Sequence, residues 1–402
     1  MKDIKPISFT NARRVDGKDA PLHVVDGVIS DKAGPDADVI DVKNKWIAPG
    51  IIDLGVFATD KPAFHFGGIV RAALMPDQSR MLDDPGLIER AAKGGKPDLW
   101  VHPLAAATRG LEGRELAEIG MMQAAGAKAV ATGRKRIADS GTMLRVLSYA
   151  KALGLTVIAH AEDEGLTANA VATDGETATR LGLASAPAAA EAMAVARDIA
   201  LVEETGATLH FRQVTTAKAL DLIRAAKKVG LPVTCGITPA HLFLSDIAMS
   251  DFRTFARLTP PLRHEDERQA CLAAIADGTI DVITSGHDPR GPEDKRLPFA
   301  DASPGMAGAE TLLAMSLNLV RDGHIDMARL FELLSANPAK ILGVNSGSLE
   351  AGTEADLIIV DDGAPWIVDS DKMAASAGNT PFDGLPVQGR VTGMWKGGQR
   401  IR

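Results

Sequence analysis

The chain has 402 residues, of which 46% are hydrophobic and 24% are charged. This is the composition of an ordinary globular protein with room for one large core and a smaller one. The formal net charge of −8 offers no basic face, so the sequence favours neither nucleic acid nor an anionic membrane surface as a partner.

The first residues and the most apolar long run both argue against a membrane protein. Residues 1–16 mix lysines and arginines with polar residues and contain no apolar signal segment. The most apolar long run, 184–202, is interrupted by charged residues, which is typical of an amphipathic helix and not of a membrane span. We therefore expect a cytoplasmic protein without a membrane partner.

Eight short apolar runs alternate with segments of helical period from residue 51 onward. This alternation is the pattern of repeated βα units on a parallel sheet, and strands buried on both faces have near-continuous apolar sequences. Eight such units predict an α/β fold, a (β/α)8 TIM-type barrel over residues 51–346. The predicted strands are 51–57, 69–75, 99–105, 127–132, 155–160, 207–214, 231–237 and 280–284.

Helices are predicted between these runs, and several of them end at a glycine. Glycine just past the last turn supplies the left-handed conformation in which a helix commonly stops. The predicted helices are 116–125, 142–153, 189–204, 217–229, 266–276, 308–320 and 326–342, and the terminal glycines are Gly126, Gly154, Gly206, Gly230 and Gly278.

The two ends of the chain, residues 1–50 and 347–402, have a different pattern of short strands and turns. We expect them to pair and to form one small composite β-domain beside the barrel, which would also keep the termini close together. The strands of this domain are predicted at 22–28, 39–42, 356–360 and 389–396.

Six blocks of the sequence carry a family pattern. They are APGIIDLGV at 48–56, LTVIAHAED at 155–163, and the longer segments 210–246, 258–289, 297–313 and 351–362. Together they resemble the dihydroorotase branch of the cyclic amidohydrolases, which typically has PGxIDxHxH at the first block, and they cover about residues 45–400 in the family order. The resemblance implies metal-assisted ring opening and closing between carbamoyl-aspartate and dihydroorotate, with one or two zinc ions at the C-terminal mouth of the barrel.

The positions that the resemblance assigns to metal ligands carry other residues. A catalytic zinc needs about three ligands from histidine, cysteine or carboxylate, and only His160 matches a family ligand. We therefore predict no metal, no other cofactor and no catalytic residue, because Gly286 also replaces the family's proton shuttle. The replaced positions are Gly55 and Phe57 after strand one, Thr132 or Gly133 after strand four, Gln213 after strand six and Gly286 after strand eight.

The family's substrate contacts are replaced as well. Thr59, Asp77 and Thr259 stand where the resemblance implies an arginine and two asparagines, and Asp77 would repel a dicarboxylate. Arg290 stands where a histidine is implied. Arg290 and Arg134 are weak candidates for binding an anionic ligand without chemistry, although a charge run such as 134–136 is usually just solvated.

Two main functional hypotheses follow. The resemblance extends to bacterial dihydroorotase-like chains that lack activity, so the leading hypothesis is a noncatalytic partner of the aspartate transcarbamoylase catalytic chain in de novo pyrimidine biosynthesis, itself a homo-oligomer. The alternative is an active dihydroorotase, or another cyclic amidohydrolase hydrolysing a C–N bond, with a rearranged zinc site. In that case His160, His287 and Asp288 would be catalytic, and Glu162 and Asp163 would help to hold the metal.

Overall fold

The structure, a computed structural model, describes residues 5–402. Its strands are β1 Ile7–Thr10, β2 Arg13–Arg14, β3 Leu22–Val25, β4 Val28–Ser30, β5 Asp38–Asp41, β6 Trp46–Pro49, β7 Ile51–Val56, β8 Ile69–Leu74, β9 Trp100–Pro103, β10 Ala105–Ala106, β11 Val130–Ala131, β12 Val157–Ala159, β13 Ala172–Thr173, β14 Ser185–Ala186, β15 Leu209–Phe211, β16 Val233–Ile237, β17 Val282–Ile283, β18 Leu357–Ile367, β19 Pro386–Lys396 and β20 Gln399–Arg400.

The helices are α1 Lys61–Gly67, α2 Pro85–Lys93, α3 Ile119–Ala124, α4 Ser140–Ala152, α5 Glu164–Thr167, α6 Glu176–Leu181, α7 Ala189–Thr205, α8 Ala217–Lys228, α9 Pro239–Phe243, α10 Glu265–Ala276, α11 Pro292–Lys295, α12 Leu312–Arg321, α13 Met327–Phe331 and α14 Asn337–Leu342. Short 3₁₀ turns lie at Arg109–Leu111, Asp246–Met249, Thr254–Ala256 and Ser370–Lys372. No helix among residues 5–402 is both long and apolar enough to cross a membrane.

The barrel strands are parallel and follow one another in chain order. One ladder joins β7, β8 and β9, and a second joins β10, β11, β12, β15, β16 and β17. The ring closes between its first and last strands, where the Phe57 N–H donates to the His287 carbonyl at 2.9 Å and the Thr284 hydroxyl donates to the Leu54 carbonyl at 2.9 Å. Each of the eight predicted runs contains a strand, and the predicted (β/α)8 barrel is confirmed.

Successive residues of the barrel strands alternate between two cores, because side chains along a strand point to opposite faces. Ile52 and Leu54 fill the barrel interior together with Ile158 and Val282. Ile51, which precedes them, belongs to the larger core that includes the surrounding helices. This double burial explains why the strand sequences are nearly continuously apolar.

All seven predicted helical segments are confirmed, with ends that differ by at most four residues. The glycines predicted to end helices all have positive φ; after α7, for example, Gly206 has φ 64° and its N–H donates to the Val202 carbonyl at 2.7 Å. The seventh, 326–342, is one continuous helical stretch in which α13 and α14 flank a π-helical segment, Glu332–Ala336. Pro338, which has no N–H to donate to the preceding turn, lies directly after this segment.

The small β-domain contains both ends of the chain. Strand β6 pairs antiparallel with β18, from Trp46 opposite Val360 to Pro49 opposite Leu357, and this pairing lies within the five-stranded sheet β2-β6-β18-β19-β20. A second sheet, β4-β3-β1-β5, comes from the N-terminal segment alone. The composite β-domain is confirmed as part of the fold.

The predicted strand 22–28 is wrong as one strand, since it is the hairpin of β3 and β4. Val25 pairs with Val28 across the two turn residues Asp26 and Gly27, whose φ angles are 52° and 77°. Two consecutive positive φ angles give the turn whose twist matches antiparallel strands. The Asp-Gly pair is the sequence signal that identifies this turn.

Candidate functional site

The C-terminal ends of the barrel strands surround a cavity of about 350 Å³, at the end of the barrel where enzymes of this fold place their active sites. Among the replaced metal positions, Phe57, Gln213 and Gly286 line this cavity, together with the retained His160. The sequence thus placed these residues correctly around one site. We call this space the mouth cavity.

The ring of Phe57 is covered by two guanidinium groups. The Arg134 Cζ atom lies 3.8 Å from the ring centroid and the Arg212 Cζ atom lies 5.1 Å from it. Cations are attracted to the face of an aromatic ring, so each guanidinium is stabilised by its contact with Phe57. A position that the resemblance assigns to a metal-binding histidine therefore holds an apolar ring and two positive charges.

His160, the one retained family ligand, is already engaged by protein groups. Its Nδ1 lies 3.1 Å from a guanidinium nitrogen of Arg212, and its Nε2 lies 3.4 Å from a carboxylate oxygen of Glu162. A guanidinium can only donate, which assigns the proton of the neutral imidazole to Nε2 and the lone pair to Nδ1. The lone pair that a metal ion would need therefore faces Arg212.

The two carboxylates after strand five are compensated by cations. Glu162 accepts a hydrogen bond from Arg263 at 2.8 Å. Burial opposes the charged form of Glu162, but His160 and Arg263 outweigh it and lower the pKa to about 2. Asp163 accepts from the N–H of Leu166 at the start of α5 and pairs with Arg136 at 2.8 Å. Both carboxylates are thus bound by other residues of the same chain.

Gln213 takes part in a neutral hydrogen-bond chain. Its Nε2 lies 2.8 Å from Nδ1 of His241, and the Nε2 of His241 donates to the Pro260 carbonyl at 3.0 Å. Burial lowers the pKa of His241 to about 4, so this imidazole is neutral at physiological pH. The amide of Gln213 therefore donates a hydrogen bond at the place where the resemblance implies a zinc ligand.

Asp288 accepts hydrogen bonds from both residues that the sequence offered as anion-binding candidates. Its Oδ2 lies 2.5 Å from Nη1 of Arg134 and 3.0 Å from Nη2 of Arg290. The charges of Arg134 and Arg290 are therefore partly neutralised within the protein.

His287 does not line the mouth cavity. It is completely buried, its ring packs edge-on against Phe64, and its Nε2 lies 3.6 Å from Oδ2 of Asp60. Burial opposes the charge on Asp60, but His287 and a hydrogen bond from the Ser376 N–H lower its pKa to about 2. Of the three residues of the alternative catalytic set, the structure brings His160 and Asp288 to the cavity and leaves His287 outside it.

Two of the glycines at metal positions are closely packed by neighbouring side chains. A Cβ at Gly286 would lie 2.9 Å from the terminal carbon of Met306 and 3.0 Å from a methyl group of Thr238. A Cβ at Gly133 would lie 2.9 Å from both Asp77 and Leu111. Both glycines have positive φ, 60° and 85°, which disfavours other residues. An aspartate or lysine at either position requires its neighbours to move.

The residues present do not fit the metal ions of the resemblance. Within residues 5–402, no group of three or more histidine, cysteine, aspartate or glutamate side chains is arranged to hold a metal ion. His160, Glu162 and Asp288, which could ligate a metal, each contact a guanidinium group. These guanidinium groups would repel a dication. The contacts of the replacing residues therefore oppose a dication at the positions that the resemblance assigns to metal ligands.

Sequence reasoning missed two arginines that line the mouth cavity, Arg212 and Arg257, with exposures of 5% and 9%. Arg212 directly precedes Gln213 within the predicted strand 207–214. An arginine inside a strand that is predicted to be buried on both faces was the available signal, because such a residue is rarely buried without a partner.

Comparison with known proteins identifies the family. The amidohydrolase family matches residues 99–401. A protein of Anaeromyxobacter dehalogenans named dihydroorotase is 39% identical over 384 residues, which cover 91% of this chain and 88% of the relative. The chain belongs to the dihydroorotase family. A second dihydroorotase, of Acetivibrio thermocellus, is 36% identical over 389 residues, or 92% of this chain and 91% of that protein.

Solved structures of related amidohydrolases share the whole fold of this dihydroorotase-family chain. L-hydantoinase from Arthrobacter aurescens superposes with a TM-score of 0.88 at 25% identity, covering 98% of this chain and 95% of the hydantoinase. Dihydropyrimidinase from Brevibacillus agri has a TM-score of 0.83 at 22% identity, with 98% and 95% covered, which is evidence for the fold alone. These structures thus share both the barrel and the β-domain of this chain.

Proposed function

We propose that this dihydroorotase-family chain does not catalyse metal-dependent ring hydrolysis and acts as a structural partner of the aspartate transcarbamoylase catalytic chain in pyrimidine biosynthesis. The observation that carries the first part is the contact of Phe57 with Arg134 and Arg212. The second part rests on the resemblance to inactive dihydroorotase-like chains that have this partner.

Electrostatics opposes a zinc ion at the family position. At an effective dielectric constant of about 20, two like unit charges about 5 Å apart repel by about 3 kcal/mol, and a dication doubles this value. Two guanidinium groups lie beside Phe57. Zinc binding would also have to detach Arg212 from His160. These costs favour a barrel mouth in which the charged side chains contact one another and no zinc ion is bound.

The proton chemistry of ring opening lacks a base at the expected position, since Gly286 has no side chain. The barrel core and the regular outer helices are nevertheless intact. A protein that acts through its exterior needs the fold but not the residues at the mouth. This contrast supports a role in assembly, in which we also expect the chain to form homo-oligomers.

The second candidate is an active cyclic amidohydrolase with a rearranged metal site. Two observations favour it: both relatives described above are named dihydroorotase, and the mouth cavity of about 350 Å³ retains His160 and Asp288. The names of the relatives support this candidate more than they support the partner role. It requires Arg134 to leave Asp288 and Arg212 to leave His160.

Metal analysis combined with an activity assay distinguishes the two candidates. The protein is purified without chelators, its zinc content is measured by mass spectrometry, and ring closure of carbamoyl-aspartate is assayed with and without added zinc. We expect less than one zinc per chain and no turnover. Turnover with one or two zinc ions per chain, lost in His160→Ala and Asp288→Ala but kept in the exposed-site control Glu203→Ala, would establish the second candidate.

The partner role has a separate test. The chain and the aspartate transcarbamoylase catalytic chain from the same genome are co-expressed, and their complex is sized by light scattering after gel filtration. We expect co-elution in a defined ratio. Separate elution of the two chains contradicts the partner role and leaves the metal result unaffected.

A further inference from the structure

His264, which directly precedes α10, contacts an acceptor with each of its two ring nitrogens. Its Nδ1 lies 2.9 Å from Oδ2 of Asp246, and its Nε2 lies 2.7 Å from the Asp174 carbonyl oxygen. A carbonyl oxygen and an ionised carboxylate can only accept hydrogen bonds, so both ring nitrogens must donate. Because a neutral imidazole carries only one N–H, this geometry selects the charged imidazolium form.

The charged groups around the imidazole favour its protonated form. Burial opposes the charge, but the hydrogen bond to the Asp174 carbonyl and the carboxylates of Asp246 and Glu267 outweigh it and raise the pKa of His264. The carboxylate of Asp174 itself accepts from the Ser185 hydroxyl at 3.2 Å. An unperturbed histidine titrates at about pH 6.5. His264 therefore changes its charge above that pH, in the range where histidines act as physiological switches.

The Asp174 carbonyl belongs to an excursion of the chain between the fifth barrel strand and α7. This excursion, residues 170–186, contains β13, α6 and β14, and we call it the rim segment. Its two end residues, Ala170 and Ala186, line the mouth cavity. The position of the rim segment therefore affects one side of the cavity opening.

Two other side chains of the rim segment, Arg180 and Thr173, bind the facing loop, but neither contact titrates near neutral pH. Arg180 of α6 donates to the Ser250 hydroxyl at 2.9 Å. The Thr173 hydroxyl accepts from Arg263 at 3.2 Å. The contact of His264 with the Asp174 carbonyl differs from these two because its strength depends on the proton of an imidazole.

We propose that His264 is a pH-sensitive latch that holds the rim segment against the turn Asp246–Met249 and thereby controls access to the mouth cavity. The imidazolium donates to both sides at once. When it releases one proton to solvent, the neutral ring keeps one N–H and loses either the Asp246 or the Asp174 hydrogen bond. Gly175 leaves the space that the ring needs, because a Cβ there would collide with it.

The direction of the switch follows from the raised pKa of His264. Its stabilising contribution is complete below about pH 6.5, where the unfolded chain also carries the proton, and it is lost as the pH rises through the pKa of the folded protein. The latch is therefore closed at lower pH and loosened at higher pH. This behaviour does not depend on whether the chain is a transcarbamoylase partner or an active hydrolase.

Nuclear magnetic resonance tests the charge state in the full chain labelled with ¹⁵N-histidine. The signals of His264 are identified by their absence in His264→Gln. We expect both of its ring nitrogens to carry a proton at about pH 7 and one of them to lose it at higher pH. If only one nitrogen is protonated at about pH 7, the proposal is wrong.

Hydrogen exchange measured by mass spectrometry tests the latch itself. Amide exchange is followed in peptides from residues 172–186 and 246–250 and is divided by the intrinsic exchange rate at each pH. We expect the corrected exchange to be about fivefold faster at about pH 9 than at about pH 6, because a neutral hydrogen bond is weaker than a charge-assisted one. Corrected exchange that does not change with pH overturns the proposal.

Variants assign the effect to His264. His264→Gln has no charge to lose, so we expect fast corrected exchange at both pH values. His324→Gln removes a half-buried histidine outside the rim segment and should keep the pH dependence of the original chain. Asp246→Asn retains the imidazole if His264→Gln does not fold, and it should lower the pH at which the rim segment loosens. An unchanged pH dependence in both His264→Gln and Asp246→Asn contradicts the assignment.

Discussion

The guanidinium of Arg134 reaches Asp288 across the barrel mouth, with 2.5 Å between Nη1 and Oδ2. Arg134 follows the fourth barrel strand and Asp288 follows the eighth, on opposite sides of the ring. The same guanidinium covers the ring of Phe57, which follows the first strand. One side chain thus connects three strand ends around the mouth cavity.

We predict that Arg134→Met destabilises the protein by about 1–2 kcal/mol, because the nearly buried Asp288 loses its shorter ion pair. Urea unfolding followed by circular dichroism measures the change. Lys135→Met is the matched control, since Lys135 and Glu164 are both solvent-exposed, and its effect should stay within about 0.5 kcal/mol. Equal effects of the two substitutions would show that the Arg134 pair contributes no more than a surface pair.

Glu191 is a second stabilising residue, completely buried in α7. Its carboxylate accepts the N–H and hydroxyl hydrogen bonds of both Thr215 and Thr216 at 2.6–2.8 Å, and it faces Arg263 at 3.4 Å. These contacts hold α7 against the loop that follows strand six.

Glu191→Gln replaces one accepting oxygen with a donor and removes the charge opposite Arg263. We expect a loss of stability on the order of 3 kcal/mol, measured by urea unfolding. Glu203→Gln, at an exposed position of the same helix, should change stability by less than about 0.5 kcal/mol. A similar small change in both variants would refute the role of the buried carboxylate.

Restoring histidines alone should not restore a metal site. In Gly55→His/Phe57→His, Arg212 still donates to the lone pair of His160 and Arg134 still adds positive charge. The φ of Gly55, +100°, is also unfavourable for histidine. We expect zinc content well below one per chain by mass spectrometry, and a higher content when Arg134 and Arg212 are also changed to alanine. Stoichiometric zinc in the double variant would contradict this explanation.

The completely buried imidazole of His210 predicts a pH effect on stability. Its Nδ1 contacts the Thr234 hydroxyl at 2.9 Å, and burial lowers its pKa to about 3. An unfolded histidine titrates near about 6.5. Between these values the unfolded chain binds the additional proton, so the contribution of His210 is complete above about pH 6.5 and is lost as the pH falls toward its folded pKa.

His210→Asn should therefore make the unfolding free energy less dependent on pH, by about 1 kcal/mol per pH unit between about pH 4.5 and 6.5. Urea unfolding at a series of pH values measures this slope. Thr234→Val removes the hydroxyl partner but keeps the imidazole, and it should lower stability while preserving the slope. An unchanged slope in His210→Asn would mean that the imidazole is protonated in the folded protein.

The barrel could be predicted because its apolar runs and helical periods reflect local burial. The family resemblance assigned Phe57, Gln213 and Gly286 to one site, and these residues line one cavity. The ion pair of Arg134 with Asp288 was not predictable, since it joins residues 154 positions apart on different strand ends. His287 was expected at the site together with Asp288, but its ring packs against Phe64 and faces Asp60, contacts that join residues more than 200 positions apart.

The tight packing around Gly286 limits how an acidic side chain could be introduced there. A Cβ at this position would lie about 3 Å from the terminal methyl of Met306 and from a methyl group of Thr238, so the flexible end of Met306 and the Thr238 methyl must both move before an aspartate fits. Close-packed neighbours depend on one another. A designer who wants an acid at residue 286 should therefore redesign position 306 in the same step.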